Sequence, residues 1–205
     1  KSPTPSVRAY AATPWLFTQD RQPTEDYLAV PEVSSETREY IPICVLPSTV
    51  IGSNKLLILP SPEPWIMAIL MSAMHMAWMR TVAGRLESRY SYSPNVYNSF
   101  PWPEVDTTAK EKLAKTAQAI VKGREAKPDL TLEDLYDGEH MPADFRRLHQ
   151  TNDKLVDSLF RKAKFATERE RVEHLFWLSQ SRATPLIPAQ PQTRRRSKTR
   201  TKTPM

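Results

Sequence analysis

Trp65 to Pro103 reads WIMAILMSAMHMAWMRTVAGRLESRYSYSPNVYNSFPWP, and the reading of this stretch decides the rest. Its first fifteen residues, Trp65 to Met79, are apolar on nearly every face, interrupted only by Ser72 and His75. Fifteen residues are too few to cross a bilayer and suit a helix buried in a core. The pattern predicts one long helix from about Pro62 to Arg85. Ser61 is its expected cap, and Pro62 and Pro64 fit a first turn whose backbone donors are not needed. Beyond it come Arg80, Arg85, Glu87 and Arg89, then Tyr90, Tyr92, Tyr97, Phe100 and Trp102. A greasy support therefore presents a charged, aromatic, Pro-bounded surface.

Working upstream, Lys1 to Arg8 is Pro/Ser-rich and predicted loose. Tyr27 to Pro31, Tyr40 to Leu46 and Leu56 to Leu59 are rich in β-branched and aromatic residues and bounded by Pro, Ser or Asn, which predicts short strands. Pro31 and Pro42 would put at least one at an edge or bulge. Residues 1–103 thus read as an α+β unit. Downstream the period changes to helical. Thr108 with Glu111 reads as a capping box for a helix to about Lys122, with Leu113, Ala117, Ile120 and Val121 on its apolar face. Thr131 with Asp134 predicts a short helix to Tyr136. Pro142 opens a longer one with a stripe of Phe145, Leu148, Leu155, Val156 and Leu159. Thr167 with Glu170 opens a last one carrying Val172, Leu175, Phe176 and Leu178. Residues 104–183 read as a small helical bundle. Residues 184–205 are rich in Pro, Arg and Lys and are predicted to be a disordered basic tail.

The net charge of +6 points toward nucleic acid until it is located. Six cations lie after Ala183 with no acid among them, so Lys1 to Ala183 holds 29 − 6 = 23 basic residues against 23 acidic ones. Only a local basic face could attract DNA. The single cysteine, Cys44, excludes a disulfide framework and a thiolate metal cluster, and fits a small buried group in a reducing, cytoplasmic setting. No targeting segment or membrane span is legible. The chain starts at Lys1 without an initiator Met, as a fragment of a longer protein would.

Chemistry-bearing residues are sparse. His75, His140, His149 and His174 lack ligand spacing, and His75 reads as a satisfied core histidine. Five methionines from Met67 to Met79 read as gap-filling core. Pro103-Glu104 followed by Glu125-Ala126-Lys127 loosely matches a metal-dependent nuclease pattern, but both groups flank a predicted helix and read first as solvated helix ends. No metal site is expected. On the residues alone, Glu87 and Arg89 read first as an exposed ion pair worth little. The same two groups also suit base reading, since a carboxylate accepts from cytosine's amine and a guanidinium donates twice to guanine.

The segment SAMHMAWMRTVAGRLESRYSYSPNVYNSFPWPE closely resembles the end of the target-recognition domain in the MmeI-like family of DNA adenine methyltransferases, many of them fused restriction–modification enzymes. Tyr27 to Pro60 is similar to the preceding part of that domain, and Leu132 to Phe160 to the family's C-terminal helical domain. Roughly residues 8 to 180 are covered. The resemblance implies duplex DNA as partner and places base-reading pairs at Glu87/Arg89 and at Glu32/Asn54, with Lys55 on a neighbouring base. Arg80 and Arg85, with Lys55, are the phosphate candidates. The family's cofactor turn and its Asn-Pro-Pro-aromatic tetrapeptide are missing, and Gly52, Gly84, Gly123 and Gly138 stand isolated. S-adenosylmethionine and catalysis are therefore expected in an upstream methyltransferase domain of the same protein, with none in this chain. The competing reading is a non-catalytic structural or interaction module docking on another subunit.

Overall fold

The computed structural model describes residues 3–16, 21–61 and 63–183. The expectations for Pro62 and for the tail after Ala183 lie outside them. A five-residue helix, α1 (Pro5–Ala9), occupies part of the segment predicted loose. Four short strands follow: β1 (Tyr27–Pro31), β2 (Val33–Ser34), β3 (Cys44–Leu46) and β4 (Leu56–Pro60). Antiparallel β1 lies between β3 and β4. As the central strand it has Tyr27, Leu28, Ala29 and Val30 all buried, the pattern of a strand covered on both faces. Pro31 sits where β3 no longer pairs and only β4 remains alongside, so its missing N–H costs little. The predicted Tyr40–Leu46 strand is shorter: Tyr40, Ile41 and Ile43 are buried, but only Cys44 onward joins the sheet.

The long buried helix is in fact two. α2 (Pro64–Leu70) stops at Met71, and α3 (Ala73–Val82) restarts after Ser72, whose hydroxyl accepts from the His75 N–H. A serine that satisfies the first turn of a new helix can end the old one without orphaned donors. The helix also ends sooner than predicted. Val82 is its last residue, and the chain turns into a hairpin of β5 (Gly84–Leu86) and β6 (Arg89–Ser91). β6 pairs with β2 on its other edge, giving a second three-stranded sheet. Ser61 does not cap; Glu63 precedes α2, and Ser61 adopts φ 60°.

After α4 (Pro94–Ser99) come α5 (Thr107–Glu125), α6 (Leu132–Leu135), α7 (Ala143–Phe160) and α8 (Glu168–Arg182). Asp106, not Thr108, caps α5 by accepting from the Ala109 N–H. The Thr131/Asp134 capping box of α6 is present in full. Thr167 caps α8, but Glu170 turns to Arg161 instead of closing a box. α5 packs on α2 and α7, and α8 packs on α3. One apolar core therefore takes in Leu28, Ile43, Ile69 and Met74 together with Leu113, Ile120, Phe145, Val156 and Leu175, crossing residue 103 without a gap. Met67, Met71, Met74, Met76 and Met79 all lie in it. At Gly123 a Cβ would collide with Leu148, so the glycine lets α5 and α7 approach; at Gly138 it would collide with the Thr37 carbonyl, so that glycine lets the Ser35–Tyr40 loop dock.

The buried stripe of α7 is not the predicted one. Phe145 and Val156 are buried, but between them the inward face is His149, Asn152 and Asp153, while Leu148, Leu155 and Leu159 are only partly buried. These three polar groups meet the break between α2 and α3. Asn152 Nδ2 donates to the Ala68 carbonyl at 2.7 Å, and Asn152 Oδ1 accepts from Thr116 at 2.7 Å. His149 Nδ1 faces the Met71 carbonyl at 3.4 Å and its Nε2 pairs with the Tyr136 hydroxyl at 3.0 Å. Asp153 accepts from the Ala73 N–H and from the Tyr40 hydroxyl, each at 2.7 Å. Backbone groups released by interrupting a helix must find partners when buried, and α7 supplies them.

Candidate nucleic-acid interface

The β5–β6 register pairs Leu86 with Arg89, leaving Glu87 and Ser88 as a two-residue turn. Its first residue, Glu87, has φ 57°. Glycine is the default at such a position, so a glutamate there holds a strained backbone. Arg85 closes the turn by donating to the Ser88 carbonyl at 2.8 Å. Its guanidinium lies 4.0 Å over the Tyr90 ring, with Glu36 at 3.6 Å. Arg89 donates to Glu87 at 3.0 Å, and both side chains are open to solvent, 47% and 79% exposed. The ion-pair reading is thus what the free chain adopts. An exposed pair of this kind is worth about 0–1 kcal/mol, so its groups can change partners cheaply.

The second predicted group forms next to it. Glu32 and Lys55 pair at 3.3 Å, and Asn54 is exposed on the turn before β4. The Ser53 hydroxyl accepts from the Lys55 N–H at 3.0 Å and shapes that turn. Glu32 is also the joint between the two sheets. Its N–H donates to the Lys55 carbonyl at 2.9 Å, and its carbonyl accepts from the Tyr92 N–H at 2.7 Å. The two sets of predicted residues are therefore carried on one continuous run of paired backbone.

Arg80 is engaged elsewhere. It forms an ion pair with Glu168 of α8 and donates to the Arg38 carbonyl at 3.0 Å, leaving its side chain 23% exposed. Hence each of the four predicted cations has a carboxylate partner: Lys55 with Glu32, Arg80 with Glu168, Arg85 with Glu36 and Arg89 with Glu87. The face alternates in charge; it is not a basic patch.

Behind it the aromatic residues are mostly support. Tyr90, Tyr92 and Phe100 are buried, with Tyr97 and Trp102 packed partly against the same core. His75 Nε2 pairs with the Tyr92 hydroxyl at 2.9 Å, while its buried Nδ1 has no partner among the described residues. Burial pushes its pKa down to about 3, so the ring is neutral at pH 7. The other residues of interest lie apart. Glu104 precedes α5 and Glu125 is its last residue, so a helix about 27 Å long at 1.5 Å per residue lies between them and they cannot share a metal ion. Cys44 is half-buried, and desolvation raises its thiol pKa.

The residues missed in the sequence are His149, Asn152 and Asp153. Their signal was present, since they fall at helical spacing between Phe145 and Val156, but polar side chains on a stripe are normally assigned to solvent.

Comparison with known proteins identifies the family. Residues 1–104 match the family described as "MmeI, target recognition domain", and residues 105–187 match "MmeI, C-terminal domain". DNA methyltransferase A of Bacillus subtilis (strain 168) is 36% identical over 181 residues, covering 88% of this chain and 20% of that protein. The solved structure of the type IIL restriction–modification enzyme MmeI in complex with DNA superposes with a TM-score of 0.82 at 43% identity, over 88% of this chain and 24% of that one. The chain thus spans about a fifth to a quarter of these relatives. It belongs to the MmeI family, carrying that family's target recognition domain followed by its C-terminal domain.

Proposed function

We propose that this chain is the site-selecting module of a DNA adenine methyltransferase or fused restriction–modification enzyme, and that it reads duplex DNA without performing catalysis. The observation that carries the reading is the Glu87/Arg89 pair on a strained two-residue turn, exposed and weakly held. One carboxylate and one guanidinium suit both halves of a C·G pair, while the affinity that a basic face would give has to come from phosphate contacts made by this chain's cations or by the rest of the enzyme. Glu32, Asn54 and Lys55 form the second reading group. Tyr92 lies across from Glu32, and Arg89 is three residues further along β6. At about 3.3 Å per residue that is about 10 Å, the rise of roughly three base pairs. Arg85 and Lys55 are the phosphate candidates, while Arg80 tethers α3 to α8. S-adenosylmethionine belongs to a methyltransferase domain preceding this chain, in a cytoplasmic bacterial enzyme.

The matched charges also favour a second reading, in which this balanced face docks on another part of the enzyme. Base preference separates the two. In the enzyme carrying this chain, Glu87→Lys with Arg89→Asp should reverse one C·G preference to G·C, because the lysine then faces guanine's position. Methylation across all four bases at each site position is the measurement. An unchanged preference at every position would leave Glu87–Arg89 as an ion pair and favour docking.

A further inference from the structure

The elements that deliver Glu87 and Arg89 are held by another part of the chain. α3 runs directly into β5, so the direction of α3 fixes where the hairpin stands. That direction is set at Met71–Ser72, where the helix is interrupted, and the groups closing the interruption come from α7. Ala68 and Met71, at the end of α2, are met by Asn152 and His149. Ala73, the first residue of α3, is met by Asp153. His149 and Asn152 are fully buried and Asp153 is 8% exposed, so water does not replace these contacts.

Asp153 reaches the hairpin by a second route as well. Its other oxygen accepts from Tyr40, which ends the Ser35–Tyr40 loop and stacks on His149 at 4.2 Å. The same loop supplies Glu36 to Arg85 of β5 and the Arg38 carbonyl to Arg80 of α3. Thus one carboxylate holds both the helix that feeds β5 and the loop that flanks it.

We propose that His149, Asn152 and Asp153 are positioning residues for base recognition: by closing the α2–α3 interruption from α7, they set the placement of the β5–β6 hairpin and so the sharpness of its readout. This rests on the hairpin being the reading edge. A target group displaced by about 1 Å loses much of its effect, whereas a buried contact that merely added stability would not alter base preference.

Three variants test it. Asp153→Leu removes both contacts while keeping a branched side chain; it leaves the Ala73 N–H and the Tyr40 hydroxyl unpaired, so it also destabilises, and its effects are read against a control compared at equal stability. Asp153→Asn can keep both, accepting from Ala73 and donating to Tyr40 once that hydroxyl turns. Val156→Ala, one turn further on α7 and fully buried, is the control for a general loss of stability. In the enzyme carrying this chain, Asp153→Leu should lower discrimination at the Glu87/Arg89 base pair about tenfold. Asp153→Asn should stay within about twofold of wild type, and Val156→Ala should leave discrimination unchanged. In the 205-residue chain itself, amide exchange over residues 84–91 should quicken in Asp153→Leu beyond the Val156→Ala control. Equal amide exchange over the hairpin in the two variants, compared at equal stability, overturns the proposal. So does full discrimination in Asp153→Leu when the Glu87/Arg89 exchange does reverse a base. If that exchange reverses nothing, the reading edge is misassigned, and hairpin exchange still decides whether α7 positions it.

Discussion

Two groups of polar side chains in this molecule sit in opposite surroundings. Glu87 and Arg89 form a charged pair at the tip of a hairpin, with 79% and 47% of their side chains exposed. His149, Asn152 and Asp153 lie on the inward face of α7 and are all buried. In water the first pair gains little from its own contact and can release it for a base edge. In the core the second group cannot release its partners, because each would be left unsatisfied away from solvent. Exposure therefore separates polar groups that can read from polar groups that must hold.

The largest effect should come from breaking the buried group. Asn152→Ala takes the Asn152 donor from the Ala68 carbonyl, leaves the Thr116 hydroxyl only its contact to the Leu113 carbonyl, and opens a small void. It should cost about 2–4 kcal/mol, read as a shift in thermal or urea unfolding. The transition should remain single, since one core spans both matched domains. Two separated transitions, with only the later half shifted, would mean that residue 103 marks an energetic boundary as well.

A smaller, graded effect should follow pH. Burial holds His75 and His149 down at about 3, so their contribution is present above the unfolded value of about 6.5 and is lost as pH falls toward 3. Asp153 has the opposite sign. Burial raises it to about 6, so its contribution is largest below the unfolded carboxylate value and is lost as pH rises through 6. Between pH 4 and 6 two histidines oppose one aspartate. For these three groups the net is about one proton, and His174, also lowered by burial, adds to the same side, so stability should fall on acidification across this window, on the order of 1 kcal/mol per pH unit. Asp153→Asn should steepen that slope and His149→Gln should flatten it. Denaturant titrations at stepped pH measure both.

The sequence made some of this legible and hid the rest for identifiable reasons. Side-chain caps are local, and Thr131 and Thr167 announced α6 and α8 correctly. The five methionines read as core because flexible thioether side chains in a largely apolar run fill irregular gaps, and all five are buried. Ser72 was hidden, since one serine in an apolar run is tolerated inside a helix; its cue was the spacing to His75, whose N–H it takes. The hairpin was hidden because Glu87-Ser88 lacks the Gly or Asn that usually marks a two-residue turn, so the helix was carried through to Arg85. The stripe of α7 falls one step around its axis from the expected one for the same kind of reason, since polar residues on a stripe are normally assigned to solvent. Glu87 and Arg89 were singled out through family resemblance, whereas their strained turn and their pairing are visible only in three dimensions.

That strained turn offers the most direct test of the contrast between reading and holding. Glu87→Gly removes the carboxylate and relieves a backbone at φ 57°, where glycine is at ease. The variant's melting temperature should equal or exceed that of the unaltered chain. Discrimination at one base pair should fall by about 1–3 kcal/mol, measured by methylation of matched duplexes in the enzyme carrying the variant. A lowered melting temperature with full discrimination retained would contradict this, and would make Glu87 a residue that holds the fold and does not read the site.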